Sequence, residues 1–152
     1  MNQNGKATTV KETFSRETAV SINIQADPTI VWALLTKASD YPRWNSTVVS
    51  LEGDITLGGK LKLKSTLDEK RTFKLAVKEF EPNKRLVWGD RQGNRVYTIG
   101  KSGDDSVTFS MVEKIGGLFF PMYAKYIPPF DDSFEQFAAD LKKEAEAIQQ
   151  SK

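Results

Sequence analysis

The chain contains no histidine and no cysteine. Without cysteine there are no disulfides, no thiol nucleophile and no thiolate ligand for a metal. Without histidine, a Ser-His-Asp or Cys-His relay, a His-ligated zinc and an imidazole general base are all ruled out. Any acid–base chemistry must come from carboxylates, Lys, Arg or Tyr. Long apolar runs are missing as well. The longest, Ile30 to Leu35 and Gly116 to Pro121, fall far short of the ~20 residues that span a bilayer, so stable membrane insertion is not expected. Gly58-Gly59 and Gly116-Gly117 lack the neighbours and spacing of a phosphate loop, and both read as turns. This inventory implies no cofactor and no metal.

Charge of one sign is not in excess either. Lys and Arg number 22 against 20 Asp and Glu, a net charge of +2. Lys60, Lys62 and Lys64 alternate with Leu61 and Leu63, which reads as the solvated face of one strand. With no basic cluster and no base-stacking motif, nucleic acid is not expected as a partner. Met1 to Lys11 is polar, lacks the apolar core of a signal peptide and is expected to be flexible. The Asn45-Ser46-Thr47 sequon carries no weight without a secretion signal, and the cytoplasm is the expected location.

What is present suits one globular domain, residues 12–152, with 39% hydrophobic and 28% charged residues. Val20, Ile22 and Ile24 alternate with Ser21, Asn23 and Gln25, the period of a half-buried strand. Asp27 can cap a helix with Pro28 at its first position, where a missing N–H is harmless. Ile30 to Leu35 continues that helix, and Asp40-Tyr41-Pro42-Arg43-Trp44-Asn45 follows. Then come strands split by turns: Thr47 to Gly53, Lys60 to Leu67, Arg71 to Phe80, Arg85 to Asp90, Arg95 to Lys101 and Ser106 to Lys114. Short strands joined by tight turns predict an antiparallel meander.

Beyond Gly116-Gly117 the period becomes helical. Phe130, Phe134, Phe137, Leu141, Ala145 and Ile148 form one apolar stripe, with Asp131, Asp132 and Ser133 as capping candidates. Pro128-Pro129 forbids a continuous helix and predicts a break before that stripe. A sheet and one long helix must bury their apolar faces on each other.

The order of these motifs resembles the START-like (SRPBCC) superfamily, its polyketide cyclase/dehydratase-like branch and the Bet v 1 relatives. The likeness runs from the first strand through Trp32, the Tyr-Pro-Arg-Trp-Asn turn, the Glu81-Pro82 turn and Glu113 to the terminal helix. It implies an α+β helix-grip fold: a seven-stranded antiparallel sheet wrapped around the C-terminal helix, two short helices after the first strand, and an internal cavity.

Strand alternation puts Trp88, Tyr97, Phe109 and Met111 on the inward face, and the helix stripe adds Phe134 and Phe137. With Tyr123 these are the expected ligand-binding residues of the cavity the resemblance implies. Asp90, Arg95 and Glu113 share the inward face at strand ends and are candidates for a polar pocket or mouth, with an Arg95–carboxylate pair favoured. Tyr97, Tyr123, Ser110 and Arg95 would supply polar contacts. Trp44, Phe120, Tyr126 and Phe130 are candidates for the rim. No residue is singled out as catalytic. A small hydrophobic or amphipathic molecule is the expected partner, bound or carried without reaction. The alternatives are a cyclase/dehydratase-type enzyme and a protein-interaction module as in relatives of Hsp90 ATPase activators.

Overall fold

The computed structural model describes residues 3–152. Its helices begin where the side chains dictate. The Asp27 carboxylate accepts hydrogen bonds from the Thr29 N–H at 2.8 Å and the Thr29 hydroxyl at 2.6 Å, starting α1 (Pro28–Thr36) with Pro28 in its first turn. A 3-10 turn, Ala38–Asp40, leads into the single-turn helix α2 (Tyr41–Trp44). Arg43 bonds Asp40 within this turn and Glu144 on the last helix, which fixes α2 against it.

Eight strands form one antiparallel sheet: β1 (Thr8–Lys11), β2 (Ser15–Ile24), β3 (Val48–Glu52), β4 (Lys60–Ser65), β5 (Asp68–Glu81), β6 (Arg85–Gly89), β7 (Gly93–Gly103) and β8 (Ser106–Gly116). Their order is β1-β2-β8-β7-β6-β5-β4-β3. The seven-stranded expectation is corrected by β1, which comes from the stretch expected to be flexible. Its Thr-Thr-Val-Lys sequence buries no apolar face. Backbone pairing with β2 and two long-range bonds hold it: the Ala7 N–H donates to Glu135 at 2.9 Å, and the Thr9 hydroxyl donates to Asp131. Side-chain periodicity carries no trace of such contacts. β5 likewise starts at Asp68, three residues before its expected beginning.

The inward alternation holds across the sheet. Val20 faces Met111 and Ile24 faces Val107 between β2 and β8, and Leu86 faces Tyr97 between β6 and β7. Against this face lies α4 (Asp131–Gln150), with Phe134, Phe137, Leu141 and Ala145 fully buried and Phe130 and Ile148 partly buried. Each fully buried Phe or Leu is worth roughly 1.5–3 kcal/mol of transfer free energy. No side chain caps α4, and Asp131 and Asp132 sit within its first turn, where their charge suits the helix dipole. Before α4 the chain is broken as the two prolines require. α3 (Phe120–Tyr123) and a 3-10 turn, Ala124–Tyr126, precede the extended Ile127.

A cavity under the proline break

Strand lengths decide where the molecule is hollow. β6 ends at Gly89, paired to Ala76 of β5, while β5 runs on past it. In that overhang β5 pairs only with β4, Leu75 opposite Leu61 and Phe73 opposite Leu63. Of α4 only Ser133 in its first turn lines the space over these side chains, because Pro128-Pro129 ends the helical cover. The space left is a cavity of about 180 Å³. Phe73, Leu75, Trp88 and Ile115 wall it from the sheet, and Tyr123, Tyr126, Ile127 and Phe130 form its roof.

Of the charged side chains that line this space, two form an ion pair largely removed from solvent. Arg95 and Glu113 are cross-strand partners on β7 and β8, and the Arg95 Nε–H donates to Glu113 Oε1 at 2.6 Å. Both line the cavity, with side chains only 14% and 19% exposed. The Arg95 guanidinium also lies over the Phe134 ring, 5.0 Å from its centroid. Burial by itself would lower the Arg95 pKa, but the Glu113 charge and hydrogen bond together with neighbouring Tyr97 outweigh it and hold the guanidinium above its ordinary value. Asp90 lines the same cavity but is committed to the β6–β7 turn, its carboxylate accepting the Gln92 and Gly93 N–H groups at 2.8 and 3.1 Å.

Of the residues expected at the site, Trp88, Tyr123, Asp90, Arg95, Glu113, Tyr126 and Phe130 are brought together around the cavity. Tyr97, Phe109, Met111, Phe134 and Phe137 lie beside it in the filled core, all buried to 1% or less. Phe137 is ringed there by Tyr97 at 5.7 Å, Trp44 at 5.9 Å and Phe109 at 6.3 Å between centroids. Trp44 is thus a core residue of α2, and Phe120 is buried beneath the roof against Tyr123. Ser110 corrects the expected set of polar contacts: it sits on the opposite face of the sheet, bonded to Ser21 at 3.1 Å. Its parity along β8, between Phe109 and Met111, requires this.

Tyr97 is fully buried next to Arg95, close enough to feel its charge, yet its hydroxyl makes no hydrogen bond of good geometry among the described residues. Burial pushes its phenol up to about 12, against the opposing pull of Arg95. Burial likewise raises Tyr41 well above its ordinary value, but its hydroxyl donates to the Leu35 carbonyl at 2.6 Å.

Four contributors went unrecognised in the sequence. Phe73 and Leu75 share an inward face, but only the overhang of β5 shows that they meet empty space. Arg71 stands exposed at the mouth with its guanidinium 4.5 Å from the Phe73 ring centroid. Arg16, 7% exposed, anchors the roof: its Nη2 donates to the Pro128 carbonyl at 2.8 Å and its Nη1 to that of Ile127 at 3.3 Å. Its guanidinium lies 4.9 Å from the Phe130 ring centroid. Parity with Val20 was the available signal, since residue 16 falls on the same inward face. Outside, the roof exposes Leu118, Phe119, Met122 and Tyr126, each at least 66% accessible.

Among the described residues no cluster of metal-ligating side chains occurs, and no helix is long and apolar enough to cross a membrane. One antiparallel sheet packed on a long C-terminal helix, with a cavity beside that helix under the proline break, is the fold of a START-like protein of the SRPBCC superfamily. The family is narrower. The model described as "Activator of Hsp90 ATPase homolog 1-like protein" matches residues 25–147, and the chain belongs to that family.

Solved structures share the fold at low identity. A conserved protein of unknown function from Enterococcus faecalis is 14% identical with a TM-score of 0.70, over 96% of this chain and 80% of that one. A START superfamily protein from Mycobacterium smegmatis is 15% identical with a TM-score of 0.64, covering 87% of this chain and 98% of its own. A norcoclaurine synthase from Thalictrum, solved with a transition-state analogue, is 12% identical with a TM-score of 0.66, over 95% and 99%. No curated protein matches the chain.

Proposed function

We propose that this protein binds or carries a small hydrophobic or amphipathic molecule in the cavity under the proline break. The observation that carries the reading is a cavity of about 180 Å³, apolar on most sides, in a molecule whose core is otherwise filled by interlocking rings. An apolar cavity of about 150 Å³ is enough to hold benzene, so a ligand of one ring with a short substituent matches the space. The cytoplasmic setting expected from the sequence is part of this proposal.

Binding by the folded state alone raises Tm by mass action, and a ligand against Trp88 changes indole emission. We expect both changes with neutral single-ring probes such as toluene, indole and methyl phenylacetate. Trp88→Ala should weaken both. A panel of such probes that shifts neither Tm nor fluorescence overturns the reading.

The family match and the exposed Leu118, Phe119, Met122 and Tyr126 favour a second reading, an interaction module of the Hsp90-activator kind. Charged substitutions there should abolish partner binding under that reading while sparing small-molecule binding. The Arg95–Glu113 pair favours a third, a cyclase- or dehydratase-like enzyme. It would take precedence if Glu113→Gln abolished turnover of a co-purified molecule.

A further inference from the structure

The ionic pair in the cavity is incompletely satisfied, and the unsatisfied part has a definite chemistry. Arg95 gives only its Nε–H to Glu113. Its terminal nitrogens, Nη1 and Nη2, carry four N–H donors between them; the Tyr97 hydroxyl lies near the guanidinium but makes no hydrogen bond of good geometry with it, so most of these donors have no acceptor among the described residues. Yet the side chain is 86% removed from solvent and lines an apolar cavity. A buried polar group without a partner is costly, so these donors mark the place where a ligand acceptor would gain most.

We propose that the cavity selects small carboxylic acids, one ring or a branched chain with a short acidic arm, bound as carboxylates by Arg95 Nη1 and Nη2. The proposal rests on the cavity being a ligand site, as above. Glu113 is the positioning residue: its bond to Nε turns the free edge of the guanidinium toward the cavity. The ligand's body would lie on Trp88, Phe73 and Leu75. A planar fork of two parallel N–H donors matches the two oxygens of a carboxylate, which a hydroxyl or ester carbonyl cannot use in full.

The other charges facing the space do not compete equally. Asp90 is held by two backbone N–H groups of its turn. Asp68 and Arg71 stand at the exposed mouth, where water screens both. Glu113 is the one acid facing the Arg95 edge, and its Oε2 is free to accept from a ligand amine. The carboxylate reading therefore has a specific rival, a cationic ligand, and a matched series separates them.

The probes are phenylacetate, phenylacetamide, methyl phenylacetate and 2-phenylethylamine, titrated at pH 7 by calorimetry and indole fluorescence. Phenylacetate should bind about ten- to a hundredfold more tightly than its neutral isosteres. Replacing Arg95 alone would leave Glu113 buried and unpaired and could unfold the chain, so the decisive variant is the double substitution Arg95→Met with Glu113→Gln. It should keep the affinity for the ester within about threefold and lose the preference for the acid. Glu113→Gln alone keeps an acceptor for Nε and removes the opposing charge. Acid affinity should then rise a few-fold with no change for the amide, which a purely structural role for Glu113 would not produce. Equal binding of acid and neutral isosteres, or a preference for the amine, overturns the carboxylate assignment while leaving the cavity a ligand site. Failure of the whole series to bind overturns the cavity reading itself.

Discussion

The same inward alternation meets two different covers along the sheet. Over one stretch, Tyr97, Phe109 and Met111 lie beneath an unbroken α4, and α2 adds Tyr41 and Trp44 from the side. The rings interlock at centroid distances of 5.0–6.3 Å, and the Tyr97 hydroxyl and Trp44 indole N–H are buried among them without a hydrogen-bond partner among the described residues. Over the other stretch, Phe73, Leu75 and Trp88 lie beneath a segment that two prolines keep from being helical, and a cavity results. The difference does not lie in the sheet residues, which are aromatic and aliphatic in both places. It lies in what the chain can lay over them. A continuous helix brings a large side chain every three or four residues, whereas a short 3-10 turn spans the gap without filling it.

The contrast is broken most severely at its filled side. Phe137→Ala should lower stability by ~3–5 kcal/mol in chemical denaturation, because rings on three sides cannot all collapse into the space. A cost below about 1 kcal/mol would mean that the filled stretch is looser than its geometry indicates. Phe73→Ala, on the hollow side, should cost well under half as much, since the ring is half-buried and already borders open space, and should admit larger ligands.

Arg16→Met tests the seam between the two. The fold should lose ~1–3 kcal/mol as two carbonyls give up a cationic donor, and hydrogen exchange should rise in residues 120–130 more than in α4. Uniform acceleration along the chain would show that Arg16 does not act on the roof specifically.

Two buried tyrosines sharpen the comparison at smaller scale. Tyr41→Phe should cost ~1–2 kcal/mol, because the buried Leu35 carbonyl loses its donor. Tyr97→Phe should be neutral within about 0.5 kcal/mol or slightly stabilising, since no hydrogen bond is lost. Tyr97 also sets an alkaline limit. Its phenol titrates near 10 when unfolded and is pushed up to about 12 in the fold, so above pH 10 the unfolded chain loses a proton that the native state retains. Stability is therefore complete below pH 10 and falls as pH rises from 10 toward 12. Tyr97→Phe should reduce that decline, leaving the part that the raised Tyr41 phenol contributes, and an unchanged profile would place the titration elsewhere.

Much of this was legible beforehand. The α4 stripe, the proline break and the pairing of Arg95 with a carboxylate follow from period, parity and proline chemistry, which depend on neighbours a few residues away; that the carboxylate is Glu113 and not Asp90 is set by the β7–β8 register. The hollow was harder to place. Trp88 at the wall and Tyr97 in the core share the same parity and chemical character. Only strand length, with β6 stopping at Gly89 and β5 running past it, distinguishes them. β1 was invisible for another reason. Backbone bonds and contacts to Glu135 and Asp131, more than a hundred residues away, hold it, and no local pattern encodes those.

That closure has a kinetic meaning. β2 pairs with β8 along its whole length, Ile24 opposite Val107 and Ser15 opposite Gly116, and β1 docks onto the first turns of α4. The early strands therefore wait for the late ones. A chain emerging from the ribosome can build the β3–β7 hairpins in turn, but it must leave the inward edge of β2 unpaired until β8 and α4 are out. Such non-local pairing places folding in the slower, millisecond-to-second range for a domain of this size. During that wait β2 is an open edge, and Arg16 and Glu17 near its start are the charged residues it sets against pairing with another nascent chain.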